Sequence, residues 1–294
     1  MPVTVRMPAK INIALQVGPA REDGFHELQT IYHAVSLYDA VTVADAPVGA
    51  GITITCTNED VPLDNRNLAW KAAELIAEAG DVQPDVRINI DKGIPVAGGM
   101  AGGSTDAAGT LIALNDLWQL EFSKDRLQEL AAQLGSDVPF CIAGGTQLGH
   151  GRGELLSPVL AKGTFHWVIA TAQAGLSTPS VYEKLDELRP DAEEPRIPED
   201  LMTALRTNDA RALGLQLHND LEAPAIVLKP SLKRTLEAGI EAGALGALVS
   251  GSGPTVVFLA RDAEHAVDVQ IALTGSGFAH EVMTAHGPVR PAVV

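Results

Sequence analysis

Cysteine is nearly absent: Cys56 and Cys141 are the only two in 294 residues, they lie far apart, and no C-x-x-C occurs. That rules out a disulfide scaffold, and both are expected as reduced core residues of a cytoplasmic protein. No apolar run approaches the roughly 18–20 residues of a membrane span, and Met1-Pro2-Val3-Thr4-Val5-Arg6 lacks the shape of a signal peptide. Positive charge is scarce, with 21 Lys and Arg against 37 Asp and Glu for a net charge of −16. Such a balance argues against nucleic acid or an anionic membrane as a partner. It also means that any site for phosphates must rely on local donors: backbone N–H groups, a few cations and a metal ion. Internal repeats and long low-complexity tracts are missing as well. What remains is 46% apolar and 20% charged, a globular chain of one large or two ordinary domains.

The densest feature is Pro95-Val96-Ala97-Gly98-Gly99-Met100-Ala101-Gly102-Gly103-Ser104-Thr105-Asp106, with four glycines in six residues. Upstream, Val86, Ile88 and Ile90 alternate with Arg87 and Asn89, the pattern of a half-buried strand. Downstream, Ala108, Leu111, Ile112, Leu114 and Trp118 recur at helical spacing. Strand, glycine loop and helix in that order make a phosphate cradle. Glycines let the backbone approach a ligand, and the first helical turn offers unpaired N–H groups and a partial positive charge. Ser104 and Thr105 stand where an N-cap belongs. The alternative is a flexible linker, which is not usually wedged between two patterned elements. Gly98 and Gly103 have P-loop spacing, but Ser104 stands where a P-loop needs Lys, and no G-x-G-x-x-G passes through the stretch. A lysine for phosphoryl chemistry must come from elsewhere in the chain.

Patterning along the rest of the chain gives the other elements. Residues 3–17 alternate as a strand or hairpin interrupted at Pro8, followed by a polar loop over 18–27 and strands near 29–44 and 52–57. Asp64-Asn65-Arg66-Asn67 caps a helix that Gly80 ends, and Ser123 begins another that Gly135 stops in the usual C′ role. Residues 136–153 read as irregular. The second half reads as a strand at 165–171, helices from 178 to 188 and near 199–207, 209–218 and 230–242, strands at 246–250 and 254–259, a helix at 262–274 and a strand at 278–284. This is an α+β pattern.

Three separated motifs resemble the small-molecule kinase superfamily of galactokinase, homoserine kinase, mevalonate kinase and phosphomevalonate kinase. They are Pro8-Ala9-Lys10-Ile11-Asn12-Ile13, the glycine loop at 95–105, and Gly251-Ser252-Gly253-Pro254-Thr255. Asp23-Gly24-Phe25-His26, Leu134-Gly135-Ser136-Asp137-Val138-Pro139, and Ser177-Thr178-Pro179 leading to Tyr182 are most similar to the branch acting on a cytidine-diphosphate-linked polyol. The resemblance implies an α+β, two-domain small-molecule kinase fold with its active site in the cleft between domains. An N-terminal kinase domain, 1–157, would carry the glycine loop, and 158–294 would form a C-terminal α+β domain. It implies ATP as co-substrate, Mg²⁺, and transfer of the γ-phosphate to the 2-hydroxyl of that substrate in non-mevalonate isoprenoid biosynthesis. Whether such a chain is a monomer or a homodimer stays open.

The same resemblance assigns roles. Asp137 would take the proton of the acceptor alcohol, and Lys10 would keep Asp137 ionised and favour developing alkoxide character. Read singly, Lys10 is equally a strand-edge charge and Asp137 a turn cap before Pro139. Asn12 shares the strand face of Lys10 and would hold the substrate or Lys10 itself. The N–H groups of Pro95–Thr105 (proline lacking one) would cradle phosphates, with Ser104 or Thr105 adding a hydroxyl to phosphate or Mg²⁺. No carboxylate cluster has the spacing of an all-protein metal cage. Phe25 and Tyr182 would stack on the cytosine ring and His26 would read its edge; otherwise Phe25 packs under its own loop. The family often has tyrosine where this chain has Phe25. Asn67 and Lys92 are candidates for the adenine side, or else a helix cap and a solvated charge. The Gly149–Gly153 run either contacts phosphate or simply turns sharply, and Gly251-Ser252-Gly253 closes the pocket floor. Within the superfamily the rival substrates are homoserine and mevalonate; outside it the rival is a nucleotide or metabolite sensor that has lost its acid–base pair.

Overall fold

A computed structural model describes residues 1–22, 24–96 and 98–294; Asp23 and Ala97, both within expected motifs, lie outside the described residues. Two long strands, β1 (Val3–Ala20) and β2 (His26–Asp45), pair antiparallel over most of their length. Their apolar alternation buries Val5, Met7, Ala9, Ile11 and Ile13. The register shifts between Pro8 and Ala9, where proline has no N–H for the ladder, and again between Asn12 and Ala14. Then come β3 (Ile52–Cys56), α1 (Leu68–Gly80) and β4 (Val86–Asp91), a parallel crossover added to β2. After the glycine loop follow α2 (Gly102–Leu117), α3 (Lys124–Leu134), α4 (Val138–Ala143), β5 (Thr146–His150) and β6 (Leu155–Pro158), with β5 pairing β2 and β6 pairing β5.

The second half contains β7 (Phe165–Thr171), α5 (Thr178–Leu188), α6 (Glu199–Thr207), α7 (Ala210–Gly214), β8 (His218–Asn219), α8 (Glu222–Leu228) and α9 (Ser231–Glu241). It closes with β9 (Gly246–Val249), β10 (Val256–Ala260), α10 (Ala263–Ser276), β11 (Glu281–Gly287) and β12 (Ala292–Val293). The second sheet, in the order β11-β7-β10-β9, is antiparallel throughout. Two short strands leave this half and return to β1: β8 pairs it in parallel, β12 antiparallel. One core lies between the first sheet and α1–α4. A second joins Ile11, Ile13 and Ile31 of the first sheet to Trp167, Ile169 and Val257 of the other. A third packs α5, α8, α9 and α10 on the second sheet. The architecture is α+β, as expected.

Several local expectations need correction. Ser104 and Thr105 do not cap α2; they lie inside its first turn, and the N-cap is Ala101 at φ 60, without a side-chain cap bond. The glycine stretch bends the chain into the helix one turn earlier than a hydroxyl cap would. Gly135 is extended (φ 164), so it is not the left-handed stop expected after α3. Past Gly80, Asp81 takes the left-handed C-cap of α1 at φ 51. Residues 136–153 are not irregular: they hold α4 and β5, elements too short to show a period.

The return of β8 to β1 is fixed by a charged brace. Asp220 Oδ2 accepts from Val17 N at 2.7 Å and lies 3.0 Å from Arg189 Nη1, while Oδ1 is 2.9 Å from His218 Nε2. The bond to Asp220 raises the His218 pKa against the opposing effect of burial. Burial would raise Asp220, but His218, the Val17 N–H and Arg189 hold it below its usual value. A histidine whose folded pKa exceeds its unfolded value of ~6.5 stabilises fully at low pH and loses that contribution as pH rises through the folded pKa. The stability advantage of wild type over His218→Gln should therefore shrink from pH 6 toward pH 8, measured as the difference in urea midpoints at about those two values. A difference that stays constant across that range would refute the brace as a titrating element.

Candidate active site

Lys10 sits on β1 with 5% exposure, its ammonium 3.2 Å from Asp137 Oδ2. The same ammonium donates to Asn12 Oδ1 at 3.0 Å, and Asn12 Nδ2 donates in turn to Thr30 Oγ1 at 2.7 Å. Asp137 is the N-cap of α4, yet its side chain makes no cap bond. Its carboxylate is instead 3.3 Å from the Tyr32 hydroxyl and close to Lys10. Lys10 also lies over the Tyr32 ring, 5.0 Å from its centroid. Burial, and then the Asp137 charge, pushes the Tyr32 phenol well above its ordinary pKa, so it stays a neutral donor. Lys10, Asn12 and Tyr32 share one face of the sheet: Lys10 and Asn12 are two apart on β1, and Tyr32 stands directly opposite Asn12 on β2.

The glycine loop lies beside this cluster. Met100 O accepts from Lys10 N at 3.3 Å, Thr255 Oγ1 donates to Gly98 O, and Asn12 N donates to Ser250 Oγ at 3.1 Å. All three sequence motifs thus meet. Gly99 (φ +71) packs so closely on the turn after β9 that a Cβ there would sit 2.6 Å from Gly253 O. A hollow of about 390 Å³ is lined by Pro95, Val96, Gly98 to Ser104, Asn67, Lys92 and Asp106. Met100 turns its side chain into the core and offers the loop only its backbone. Thr105 is buried with its hydroxyl 3.5 Å from Cys141 Sγ, whose thiol burial pushes up to about 12, whereas Ser104 faces the hollow. Asn67 Oδ1 caps α1 through Ala69 N and its Nδ2 donates to Pro62 O, so both ends of the amide are engaged.

Lys92 is not a solvated charge. It is buried between Asp39 and Asp106, 2.9 Å from Asp106 Oδ2, and Asp39 is further held by the N–H groups of Gly93 and Ile94. Burial raises the Asp106 pKa despite the neighbouring ammonium.

A larger cleft of about 680 Å³ is lined by Gly135 and Ser136, the residues just before Asp137. Phe25, His26 and Tyr182 form part of its wall. Phe25 is 50% exposed, with the Arg152 guanidinium 4.8 Å from its ring centroid. His26 and Tyr182 stack obliquely at 5.2 Å, and His26 Nε2 is 2.8 Å from Asp186 Oδ1, one turn beyond Tyr182 on α5. Among the described residues no helix is long and apolar enough to cross a membrane, and no group of three or more His, Cys, Asp or Glu is placed to hold a metal ion.

Comparison with known proteins identifies the family. Residues 67–145 match the GHMP kinases N terminal domain and residues 201–278 the GHMP kinases C terminal family. A 4-diphosphocytidyl-2-C-methyl-D-erythritol kinase of Rhodococcus jostii is 55% identical over 98% of this chain and 93% of its own length. The chain belongs to the family of 4-diphosphocytidyl-2-C-methyl-D-erythritol kinases. The member from Mycolicibacterium smegmatis is 54% identical over 99% of this chain and 92% of its own. A crystal structure of a 4-(cytidine 5'-diphospho)-2C-methyl-D-erythritol kinase superposes with a TM-score of 0.80 at 35% identity, covering 96% of this chain and 98% of that one. Homoserine kinase from Cytophaga hutchinsonii shares the fold, with a TM-score of 0.78 at 19% identity over 100% of this chain and 97% of its own.

In this kinase, sequence reasoning passed over Tyr32, Asp39, Asp106 and Asp186. Each acts across a register or a packing contact, so only the alternation of β2 hinted at Tyr32. Removing the ammonium beneath the glycine loop should be severe. Lys92→Met leaves Asp39 and Asp106 buried without their cation and should lose about 3–5 kcal/mol of unfolding free energy in chemical denaturation. A loss under about 1 kcal/mol would mean the three groups do not depend on one another.

Proposed function

We propose that this chain is the ATP-dependent kinase that phosphorylates the 2-hydroxyl of 4-diphosphocytidyl-2-C-methyl-D-erythritol in non-mevalonate isoprenoid biosynthesis. The observation that carries this reading is the Lys10–Asp137 pair, in which Lys10 is tied by its backbone to the glycine loop and Asp137 follows directly on Gly135 and Ser136 of the aromatic cleft. The acceptor hydroxyl is a poor nucleophile. Asp137 accepts its proton as the oxygen attacks the γ-phosphorus and the bond to the ADP leaving oxygen breaks. Phosphoryl transfer is loose, so positioning and charge stabilisation dominate over early proton removal. Lys10 stabilises negative charge on the acceptor oxygen and keeps Asp137 aimed, and Asn12 fixes the lysine.

The N–H groups of Gly98 to Ser104 cradle the phosphates where the start of α2 adds its positive end. The donor set fits Mg²⁺ only in part. Ser104 offers one hydroxyl, and the nucleotide and water supply the remaining oxygens. When bound, the ion neutralises the transferring phosphates. Phe25 and Tyr182 stack on the cytosine, with His26 at its edge. A cytoplasmic location fits substrates that are strongly charged phosphate compounds.

The test is ATP consumption with Mg²⁺ on three alcohols: the cytidine substrate, mevalonate and homoserine. Turnover on the first alone supports the whole reading. Turnover on another keeps Lys10, Asp137 and the glycine loop but removes the cytidine pocket, and nucleotide binding without turnover points to a sensor. Asp137→Asn should lower kcat by about 10²–10⁴-fold while ATP affinity holds; unchanged kcat removes Asp137 from the chemistry. Tyr182→Ala should raise KM for the cytidine substrate by roughly tenfold, the lower range of one lost stacking contact. An unaltered KM would rule out stacking there.

A further inference from the structure

The turn Gly149-His150-Gly151-Arg152-Gly153 joins β5 to β6 and is not needed by the phosphate cradle described above. Two of its three glycines face Tyr32. A Cβ on Gly149 would sit 2.8 Å from Tyr32 Cε2, and one on Gly153 would lie well inside contact distance of the Tyr32 hydroxyl oxygen and 3.3 Å from Cζ. Gly153 is also at φ +101, where a side chain is strained. On its other side the Tyr32 ring lies 5.0 Å from Phe140 of α4 and under the Lys10 ammonium. The ring is 3% exposed, and its one polar atom points at Asp137 Oδ1.

We propose that Tyr32 is a positioning residue for Asp137, and that the Gly149–Gly153 turn exists to seat its ring and hydroxyl rather than to bind phosphate. Two oxygens of one carboxylate are then held from two sides, Oδ2 by Lys10 and Oδ1 by Tyr32. The carboxylate plane cannot rotate about χ2, and its remaining lone pairs stay directed at the cleft. At 3.3 Å the phenol contact is long for a hydroxyl–carboxylate bond. Because α4 makes no side-chain cap bond with Asp137, Tyr32 and Lys10 are what fix this side chain.

The inference rests on the reading of Asp137 as the group that accepts the substrate proton, so its test has one arm that does not. Tyr32→Phe removes a single oxygen and keeps the ring. It should lower kcat about tenfold, the order of one hydrogen bond to a charged group, with KM for both substrates within about twofold. Gly153→Ala should lower kcat similarly by displacing the hydroxyl, and the double variant should be no slower than the worse single one, since both act on one contact. In ligand-free protein labelled with ¹³C-aspartate, the Asp137 carboxyl carbon should shift in Tyr32→Phe. Wild-type kcat in Tyr32→Phe overturns the proposal. An Asp137 carbon unmoved by that substitution also overturns it, whether or not the chain phosphorylates any of the alcohols tried. If wild type turns over none of them, the functional reading fails alone and the resonance decides the placement of Tyr32.

Discussion

Everything at this site hangs on a contact between two stretches of bare backbone. Gly99 of the loop and Gly253 of the turn after β9 approach so closely that no side chain fits between them. Around that contact Met100 O takes the N–H of Lys10, Gly98 O takes the hydroxyl of Thr255, and Ser250 Oγ takes the N–H of Asn12. Three chain segments separated by some hundred residues each are thereby fixed to one another through main-chain atoms. The side chains above them inherit that precision: Lys10 can stand 3.2 Å from Asp137 because its own backbone is tied to the loop.

Charge is distributed to suit. The chain is strongly acidic, yet two of its cations are withdrawn from the surface and held by specific acids: Lys10 by Asp137, Lys92 by Asp39 and Asp106. A buried ammonium between carboxylates is a fixed charge that salt screens weakly. The loop above Lys92 therefore presents its N–H groups over a rigid base rather than over a mobile side chain. Local donors, rather than net charge, are what an acidic protein has to offer a phosphate.

Much of this could be read from the chain alone. Period-two and helical patterns located β1 to β4, α1, α3, α5, α6, α9 and α10 closely, because their apolar residues recur at a clear period. Residues 136–153 failed because α4, with six residues, completes fewer than two turns and β5, Thr-Gln-Leu-Gly-His, carries a single large apolar residue, so neither declares a period. The start of α2 failed for a different reason. Ser104 and Thr105 look like caps by composition, but the turn is set by Ala101 in the left-handed region, which composition does not mark. Lys10, Asp137 and the loop were legible through their motifs. Tyr32, Asp39, Asp106 and Asp186 were not, since what matters about them is a partner brought in from elsewhere: Asp137, Lys92 for both carboxylates, and His26.

The pairing of β1 with β8 and β12 bears on how the protein is made. β1 is made before β8 and β12, yet the edge it turns away from β2 pairs with their residues 218–219 and 292–293. The core between the sheets likewise joins Ile11 and Ile13 to Leu248 and Val257. That edge of β1 thus leaves the ribosome about two hundred residues before its strand partners exist. Until then β1, although paired with β2, keeps one edge without them, the kind of surface that chaperones cover. The sheet of the first half is thus completed by strands supplied from the second.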